Sequence, residues 1–269
     1  MPDLHKPKSS IPLSLFVPSA DPEGRADGGS SVFVMESILR LEVGHRGQLS
    51  HQFEAFVYRK PTMTSFSKSW HCQFLPPPPF VCEPSKYCEK FPMITSYAVI
   101  GGGSRICISA EGASTYCLDT VSHTWSHEFE WTLPFHGKVE YVPELSLWFG
   151  LSAKDGHLAA ADLSNMDSQP QIVGVWKDLN LPKEWQITEN PHLVNLGSGR
   201  FVIARFFQSW NEMDDLGTEI NEDYFVVLTG VEMGSNGNVG NAKVQLGMNT
   251  HISRRHTSYG PNGTIMAVF

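Results

Sequence analysis

A tryptophan followed by a Leu-Pro pair recurs about every 50 residues, and this repeat constrains the fold more than any other feature. The tryptophans are Trp70, Trp125 and Trp176, and the pairs begin at Leu75, Leu133 and Leu181. An apolar stretch precedes each tryptophan. A unit of this length with four short strands is typical of a kelch-type propeller blade. Large rings fill the space between tilted sheets, and a proline is tolerated after an outermost strand. The spacing therefore predicts an all-β, kelch-like β-propeller, with a generic β-sandwich as the alternative.

Short apolar stretches with alternating side chains, separated by turn residues, divide the chain into four such units. The units are Ile11 to Pro79, Met93 to Phe135, Val139 to Pro182 and His192 to Met248. The tail from His256 to Phe269 supplies up to two more strands, which gives roughly five blades. We expect residues 1–30 to form an extended segment that contains the first strand. Residues 31–269 are then a single propeller-like domain, and no long helical pattern interrupts it.

Composition excludes several classes of protein. The 269 residues are 41% hydrophobic and 18% charged, which is typical of a folded chain. A net charge of -8 argues against nucleic acid as a partner. No apolar run reaches the ~18 residues that span a bilayer, and no signal-peptide core precedes the strands. We therefore expect a monomer in the cytoplasm or nucleus, without membrane contact, whose five cysteines are reduced thiols.

Several stretches resemble one large plant family of uncharacterised propeller-like proteins that is expanded in grasses. The stretches are Met93 to Ile100, Thr115 to Thr120, Trp131 to Phe135, Glu140 to Leu151 and Leu193 to Phe207. The family is similar in style to plant kelch and F-box-associated domains. The resemblance covers most of the chain and implies a propeller fold and a plant source, but no established activity. Because family members carry further strands before the position of Met1, we expect the ring to be incomplete at its N-terminus.

Motifs for catalysis or for cofactor binding are weak. The Gly101-Gly102-Gly103-Ser104 run is followed by a strand pattern, so it predicts a hairpin turn rather than a phosphate cradle. His71 and three cysteines could ligate zinc, but their spacing lacks a Cys-x-x-Cys knuckle. The cysteines are Cys72, Cys82 and Cys88. The sequence contains no Gly-x-Ser-x-Gly nucleophile elbow, so it does not indicate a hydrolase. We therefore assign no catalytic residue, no cofactor and no metal site.

The remaining hypothesis is a non-enzymatic protein-interaction module, whose partner is a protein that the sequence does not identify. Surface loops on a rigid scaffold commonly carry recognition. The candidate interaction loop holds five acidic residues between two predicted strands, which suit calcium or a basic partner, with an ordinary solvated loop as the alternative. They are Asp214, Asp215, Glu219, Glu222 and Asp223. The alternative is a ligand-binding or enzymatic propeller in which residues from several blades converge on the central channel.

Overall fold

The computed structural model confirms that the chain is all-β. It describes residues 2–8, 12–18, 29–40, 50–60, 67–82, 92–177, 179–180, 182–210, 222–236 and 245–257. Within these ranges there are strands and short 3-10 turns but no α-helix. No helix among the described residues is long and apolar enough to cross a membrane. The contacts divide the chain into two compact units, Met1–Leu133 and Pro134–Phe269.

The first unit contains two antiparallel runs of four strands each. The first run is β1 (Leu13–Val17), β2 (Ser31–Met35), β3 (Ser50–Arg59) and β4 (Ser69–Leu75). The second is β5 (Ile94–Ile100), β6 (Arg105–Ala110), β7 (Thr115–Asp119) and β8 (Trp125–Phe129). Within each run, every strand pairs with the next one in sequence. Such a meander is the arrangement of a propeller blade, whereas β-sandwiches commonly use Greek-key connections.

One apolar core joins the two runs of the first unit. Alternate side chains of β3 point to opposite faces, so Phe53 and Ala55 face this core while Glu54 faces away from it. Other buried members of the core are Leu15, Phe33, Leu75, Ile106, Ile108 and Leu118. Trp125 packs against the core and its indole Nε1 donates a hydrogen bond to the carbonyl of Pro76, 3.1 Å away. The second tryptophan of the repeat thus contacts the Leu-Pro pair of the first.

The second unit also begins with a meander of four strands. They are β9 (Phe135–Val142), β10 (Leu147–Ser152), β11 (Leu158–Ala161) and β12 (Ile172–Trp176). A further sheet contains β13 (Trp185–Ile187), β14 (His192–Gly197), β15 (Arg200–Trp210), β16 (Glu222–Asn236) and β17 (Gln245–Thr257). The last three strands pair in sequence order, and both β13 and β14 pair with β15. Phe149, Leu151 and Phe201 are central in the core of this unit.

The three tryptophans of the repeat occupy equivalent positions in the structure. Trp70, Trp125 and Trp176 all lie on the fourth strand of their run, β4, β8 and β12 respectively. Leu75 ends β4, and Pro76 follows where the outermost strand needs no further donor. Each of the first three repeats therefore contains four consecutive strands that pair in sequence order. The number of blades stays a prediction.

Turn chemistry agrees with the sequence at both glycine runs. Gly101–Gly103 forms a 3-10 turn between β5 and β6, as the hairpin interpretation predicts. Gly199, between β14 and β15, has a φ of 72°. A Cβ at this position would lie 2.8 Å from the carbonyl oxygen of Met233, so both the conformation and the space require glycine.

Some strands differ from the sequence prediction. β8 and β13 were not anticipated as separate strands, because β8 has three consecutive polar residues between its two rings and β13 has only three residues. β16 and β17 are longer than expected. The predicted strand from Ile265 to Phe269 lies outside the described residues.

The expectation of reduced thiols is wrong for two of the five cysteines. Cys107 on β6 and Cys117 on β7 form a disulfide. They are directly opposite each other in the register of an antiparallel pair, with Cα atoms 4.1 Å apart. Such short separations occur at the non-hydrogen-bonded positions of antiparallel ladders. Cys72 is a free thiol.

Candidate functional site

The acidic interaction loop is only partly within the described residues. Asp214, Asp215 and Glu219 lie outside them. Glu222 and Asp223 open β16, opposite Trp210 and Ser209 of β15. The strand thus begins two residues earlier than predicted, and these two residues belong to its backbone ladder rather than to a loop.

The most distinctive polar group of the described structure is the carboxylate of Glu54. Glu54 lies in the middle of β3, and its side chain is 0% exposed although it carries a charge. The register places Glu54 opposite Phe74 of β4, and Phe56 opposite Cys72. Directly opposed residues share a face, and residues two apart on one strand do as well, so Cys72 lies diagonally across from Glu54. The carboxylate therefore belongs to the face of the sheet that points away from the core.

A short N-terminal segment, residues 2–8, covers this face. The main-chain N–H of His5 donates to Oε2 of Glu54 at 3.1 Å, and the Nδ1 atom of His5 lies 2.7 Å from the same oxygen. The ammonium of Lys8 forms an ion pair with Oε1 of Glu54 and also donates to the carbonyl of His51. The Lys8 side chain is only 2% exposed. Its charge is thus removed from water together with that of Glu54.

Aromatic packing fixes the orientation of the His5 ring. The ring centroid of His5 lies 4.2 Å from that of Phe74. His51 meets the same phenyl ring edge-on at 4.6 Å. The His5 imidazole is 42% exposed, so one side faces solvent while Nδ1 faces Glu54. The sequence predicts an extended segment at the N-terminus, and the structure adds that His5 and Lys8 of this segment contact the first sheet.

Cys72 completes the cluster. Its Sγ lies 3.1 Å from Oε2 of Glu54 and 3.4 Å from Nδ1 of His5. His71, its neighbour in sequence, points to the opposite face because side chains alternate along a strand, and it bonds to Ser69 instead. The zinc hypothesis of the sequence analysis thus combined Cys72 with a residue that cannot share its site. His5 and Glu54 were not considered as its partners.

Electrostatics favour an ionised carboxylate beside a protonated thiol. Burial raises the pKa of Glu54, but hydrogen bonds from Lys8 and His5 outweigh it and lower the pKa from 4.5 to about 2. Burial, and then the hydrogen bond to Glu54, raise the pKa of the Cys72 thiol to about 12. Near neutral pH the thiol therefore donates to the carboxylate. The signal that could have revealed the cluster is the single charged residue within the apolar run from Phe53 to Val57.

A second polar feature is a pair of half-buried histidines in the second unit, His136 on β9 and His192 on β14. Burial lowers the pKa of both, and the charge of His192 lowers that of His136 further. The ring of His192 packs edge-on against Phe206 at 5.4 Å. Both imidazoles are therefore biased toward the neutral form.

The last strand of the third run, β12, carries an exposed apolar strip. No described strand pairs with its outer edge. Ile172, Val173 and Val175 are 37%, 58% and 44% exposed. Ile172 is opposite Ala161 and Val175 is opposite Ala159, so these two share a face, while a register shift places Val173 outside the regular ladder. We refer to Ile172, Val173 and Val175 as the β12 strip.

The basic residues near the C-terminus pack against aromatic rings rather than forming a bare patch. The guanidinium of Arg255 lies 3.7 Å from the ring centroid of Phe225 and 5.9 Å from that of Trp185. Such stacking is a common role of arginine beside aromatic side chains.

Comparison with known proteins identifies the family of this chain and a structural likeness. A crystal structure of the Cps50 (Swd1) β-propeller domain from Myceliophteria thermophila is similar to this chain at 10% sequence identity and a TM-score of 0.33. The likeness covers 88% of this chain and 74% of that one. No curated protein matches the sequence. The family model described as "Protein of unknown function (DUF1668)" matches residues 1–256. Since this match spans nearly the whole sequence, the chain belongs to the DUF1668 family of proteins of unknown function.

Proposed function

We propose that this chain is a non-enzymatic protein-interaction module, and that the β12 strip is part of its docking surface. The observation that supports this most directly is the concentration of exposed apolar side chains on one short edge strand. Three of its five residues are exposed large hydrophobic residues. Exposed apolar patches on soluble domains commonly mark interaction sites.

The proposed partner presents an extended basic segment. An open strand edge offers unpaired backbone groups, which suit an extended chain that lies alongside it. The register shift at Val173 shortens the regular part of this edge, so apolar side-chain contacts carry much of the proposed interaction. The net charge of -8 favours a partner of opposite sign and accelerates its approach.

The acidic residues of the predicted loop have a supporting role in this proposal. Asp214, Asp215 and Glu219 contribute to the attraction of a basic segment, together with Glu222 and Asp223. Charges at the rim of an interface chiefly change the association rate and its salt dependence. Their neutralisation is therefore expected to slow association without abolishing the complex.

We also propose a blade number, an oligomeric state, a source and a cellular location for the chain. The four-stranded runs belong to a kelch-like propeller of roughly five blades, in a monomeric protein of plant origin. The location is the cytoplasm or nucleus, without contact with membrane or nucleic acid. Disulfides are rare in those compartments, so protein isolated from cells with the Cys107–Cys117 disulfide intact would contradict this location.

The test is an affinity purification from cells of the source organism, followed by reconstitution of the recovered complex. A Val173→Glu, Val175→Glu variant is compared with Val121→Glu, a matched control at a valine that is 85% exposed on a turn. We expect the double variant to weaken the reconstituted complex at least ~10-fold, because two carboxylates are placed in an apolar contact. The control is expected to bind as the unmodified chain does. Equal affinities for all three chains would refute the role of the β12 strip.

The alternative function, a ligand binder or enzyme that uses a central channel, is supported by one observation. His136 and His192 come from successive strand runs, and the charge of His192 lowers the pKa of His136. Two neutral imidazoles are suitable ligands or proton acceptors. A small molecule that copurifies with the chain in place of a protein partner, and that is lost from a His136→Gln, His192→Gln variant, would favour this alternative over the interaction module.

A further inference from the structure

We propose that His5, Glu54 and Cys72 form a binding site for a divalent metal ion of the zinc class, in which the metal fastens the N-terminal segment to the first sheet. Each residue offers one ligand atom, and these atoms lie within 4.8 Å of one another. The donors are an imidazole nitrogen, a carboxylate oxygen and a sulfur. Zinc accepts all three kinds of ligand, whereas calcium and magnesium prefer oxygen alone.

The ligand separations are close to those that a tetrahedral metal requires. Oε2 of Glu54 is 2.7 Å from Nδ1 of His5 and 3.1 Å from Sγ of Cys72, and the sulfur is 3.4 Å from the nitrogen. Tetrahedral angles and ordinary zinc–ligand bond lengths give separations of about 3.3–3.6 Å. The nitrogen and oxygen need to move apart by about 0.6 Å, and the two pairs with sulfur by less. His5 lies on the exposed N-terminal segment, which permits this adjustment without a change in the sheet.

The surroundings of Glu54 resemble the outer shell of a metal site. The ammonium of Lys8 bonds to Oε1, so it orients the carboxylate while Oε2 stays directed at His5 and Cys72. Such hydrogen bonds to ligating groups fix their geometry and tune affinity. Phe74 holds the His5 ring in place from the other side. The site is therefore pre-organised by groups that are not themselves ligands.

The charges of the ligands also suit a divalent ion. A thiolate and a carboxylate bring two negative charges, the neutral imidazole adds none, and the ammonium of Lys8 stays paired with Oε1 of Glu54. On binding, the metal displaces the proton of the Cys72 thiol, which leaves to solvent, and Nδ1 of His5 coordinates as the unprotonated nitrogen of a neutral imidazole. Three protein ligands leave a fourth position open toward the exposed side of His5.

A purely structural cluster is the competing explanation, because the same contacts tie residues 2–8 to the sheet without any metal. The two explanations differ in what Cys72 contributes. A purely structural cluster depends mainly on the Lys8–Glu54 ion pair and needs no sulfur. A metal site needs sulfur and imidazole together, so substitution of either must abolish metal binding while the ion pair remains.

The experiment is a titration of the full chain with Co²⁺, after treatment with a chelator and a phosphine reductant. Thiolate coordination to Co²⁺ gives a near-ultraviolet charge-transfer band, and tetrahedral geometry gives intense visible bands. We expect one Co²⁺ per chain with both signatures, displacement of Co²⁺ by Zn²⁺, and a raised unfolding midpoint with the metal. Circular dichroism of each variant verifies its fold before titration.

Matched variants make the result specific. Cys72→Ser and His5→Gln are expected to lose the charge-transfer band, whereas His71→Gln and Cys88→Ser are expected to keep it. His71 adjoins Cys72 but bonds to Ser69 on the other face, and Cys88 controls for a thiol elsewhere. If Cys72→Ser does not fold, His5→Gln decides the question. Absence of the band in the unmodified chain, or its persistence in Cys72→Ser or His5→Gln, would overturn the proposal.

Discussion

Two sheets of this molecule hold a neighbouring segment against one face, and they do so with different chemistry. In the first unit, residues 2–8 are held by the buried carboxylate of Glu54 through Lys8 and His5. In the second unit, Trp185 of β13 packs on Phe207 and Phe225 with ring centroids 5.2 and 4.8 Å away. The first arrangement depends on protonation and on exact pairing of charges. The second depends on apolar area, which pH does not change.

The largest effect is expected in the aromatic cluster. Phe207→Ala removes a side chain that is 0% exposed, which is expected to lower the free energy of unfolding by about 4 kcal/mol. Because no titratable group is involved, the loss is expected to be equal at neutral and acidic pH. Urea unfolding at both pH values measures it, with Ile187→Ala, an exposed neighbour on β13, as the control. A strongly pH-dependent loss would contradict the claim that the aromatic packing does not depend on protonation.

Next in size is the effect of Lys8→Met, which leaves Glu54 buried without its ammonium partner. We expect a loss of about 3 kcal/mol at neutral pH, since breaking a buried ion pair strands the remaining charge. Lys6→Met, at an exposed position two residues away, is the matched control and is expected to have almost no effect. A loss for Lys8→Met as small as that of the control would show that the ion pair does not hold the segment.

The same ion pair gives the first unit a defined response to acid. The pKa of Glu54 is about 2 in the folded chain and 4.5 as an ordinary glutamate. A lowered pKa stabilises the folded state above the unfolded value, and that stabilisation is lost as the pH falls from about 4.5 to about 2. The difference in stability between the unmodified chain and Lys8→Met is therefore expected to shrink over this range. Equilibrium unfolding at a series of pH values between these limits is the measurement.

A smaller loss is expected when the disulfide between β6 and β7 is removed. The cross-link closes a short loop, so its reduction is expected to cost about 2 kcal/mol. Urea midpoints with and without reductant measure this cost, and alkylation of the unfolded chain counts the free thiols. Five free thiols in the non-reduced chain would contradict the disulfide itself.

The smallest loss of stability is expected at Arg255, whose guanidinium lies beside the aromatic rings of Phe225 and Trp185. Arg255→Gln removes a guanidinium that lies 3.7 Å from the ring centroid of Phe225. The arginine is exposed, so we expect a loss of only about 1 kcal/mol. A double-mutant cycle with Phe225→Leu isolates the ring contact. A loss comparable to that of Lys8→Met would show that charge matters equally in both regions.

Much of the fold could be predicted from sequence, because strands and turns are local. Alternation between apolar and polar residues predicts β5, β6 and β7, and the Gly101–Gly103 run predicts the turn between the first two. The tryptophan repeat predicts the four-stranded grouping, since each tryptophan lies on the fourth strand of its run. Strands of three residues, such as β13, are too short to show a period.

The Glu54 cluster could be predicted only in part, because its partners are distant in sequence. A lone glutamate in an apolar run indicates a buried partner, since an unpaired carboxylate is costly to bury. The sequence does not indicate that the partners are His5 and Lys8, more than 40 residues away. Likewise, Cys72 is close to Glu54 only because of the register between β3 and β4. Pairing register and long-range docking are properties of the folded chain.

The central claim is that His5, Lys8 and Cys72 converge on an ionised Glu54, and its pKa tests this most directly. The side-chain carboxyl ¹³C resonance of Glu54, assigned by comparison with Glu54→Gln, can be followed by NMR as the pH is lowered. Our account predicts a titration midpoint of about 2 in the folded chain. A midpoint near the ordinary value of 4.5 would contradict it, because the carboxylate would then lack the hydrogen bonds that the cluster provides.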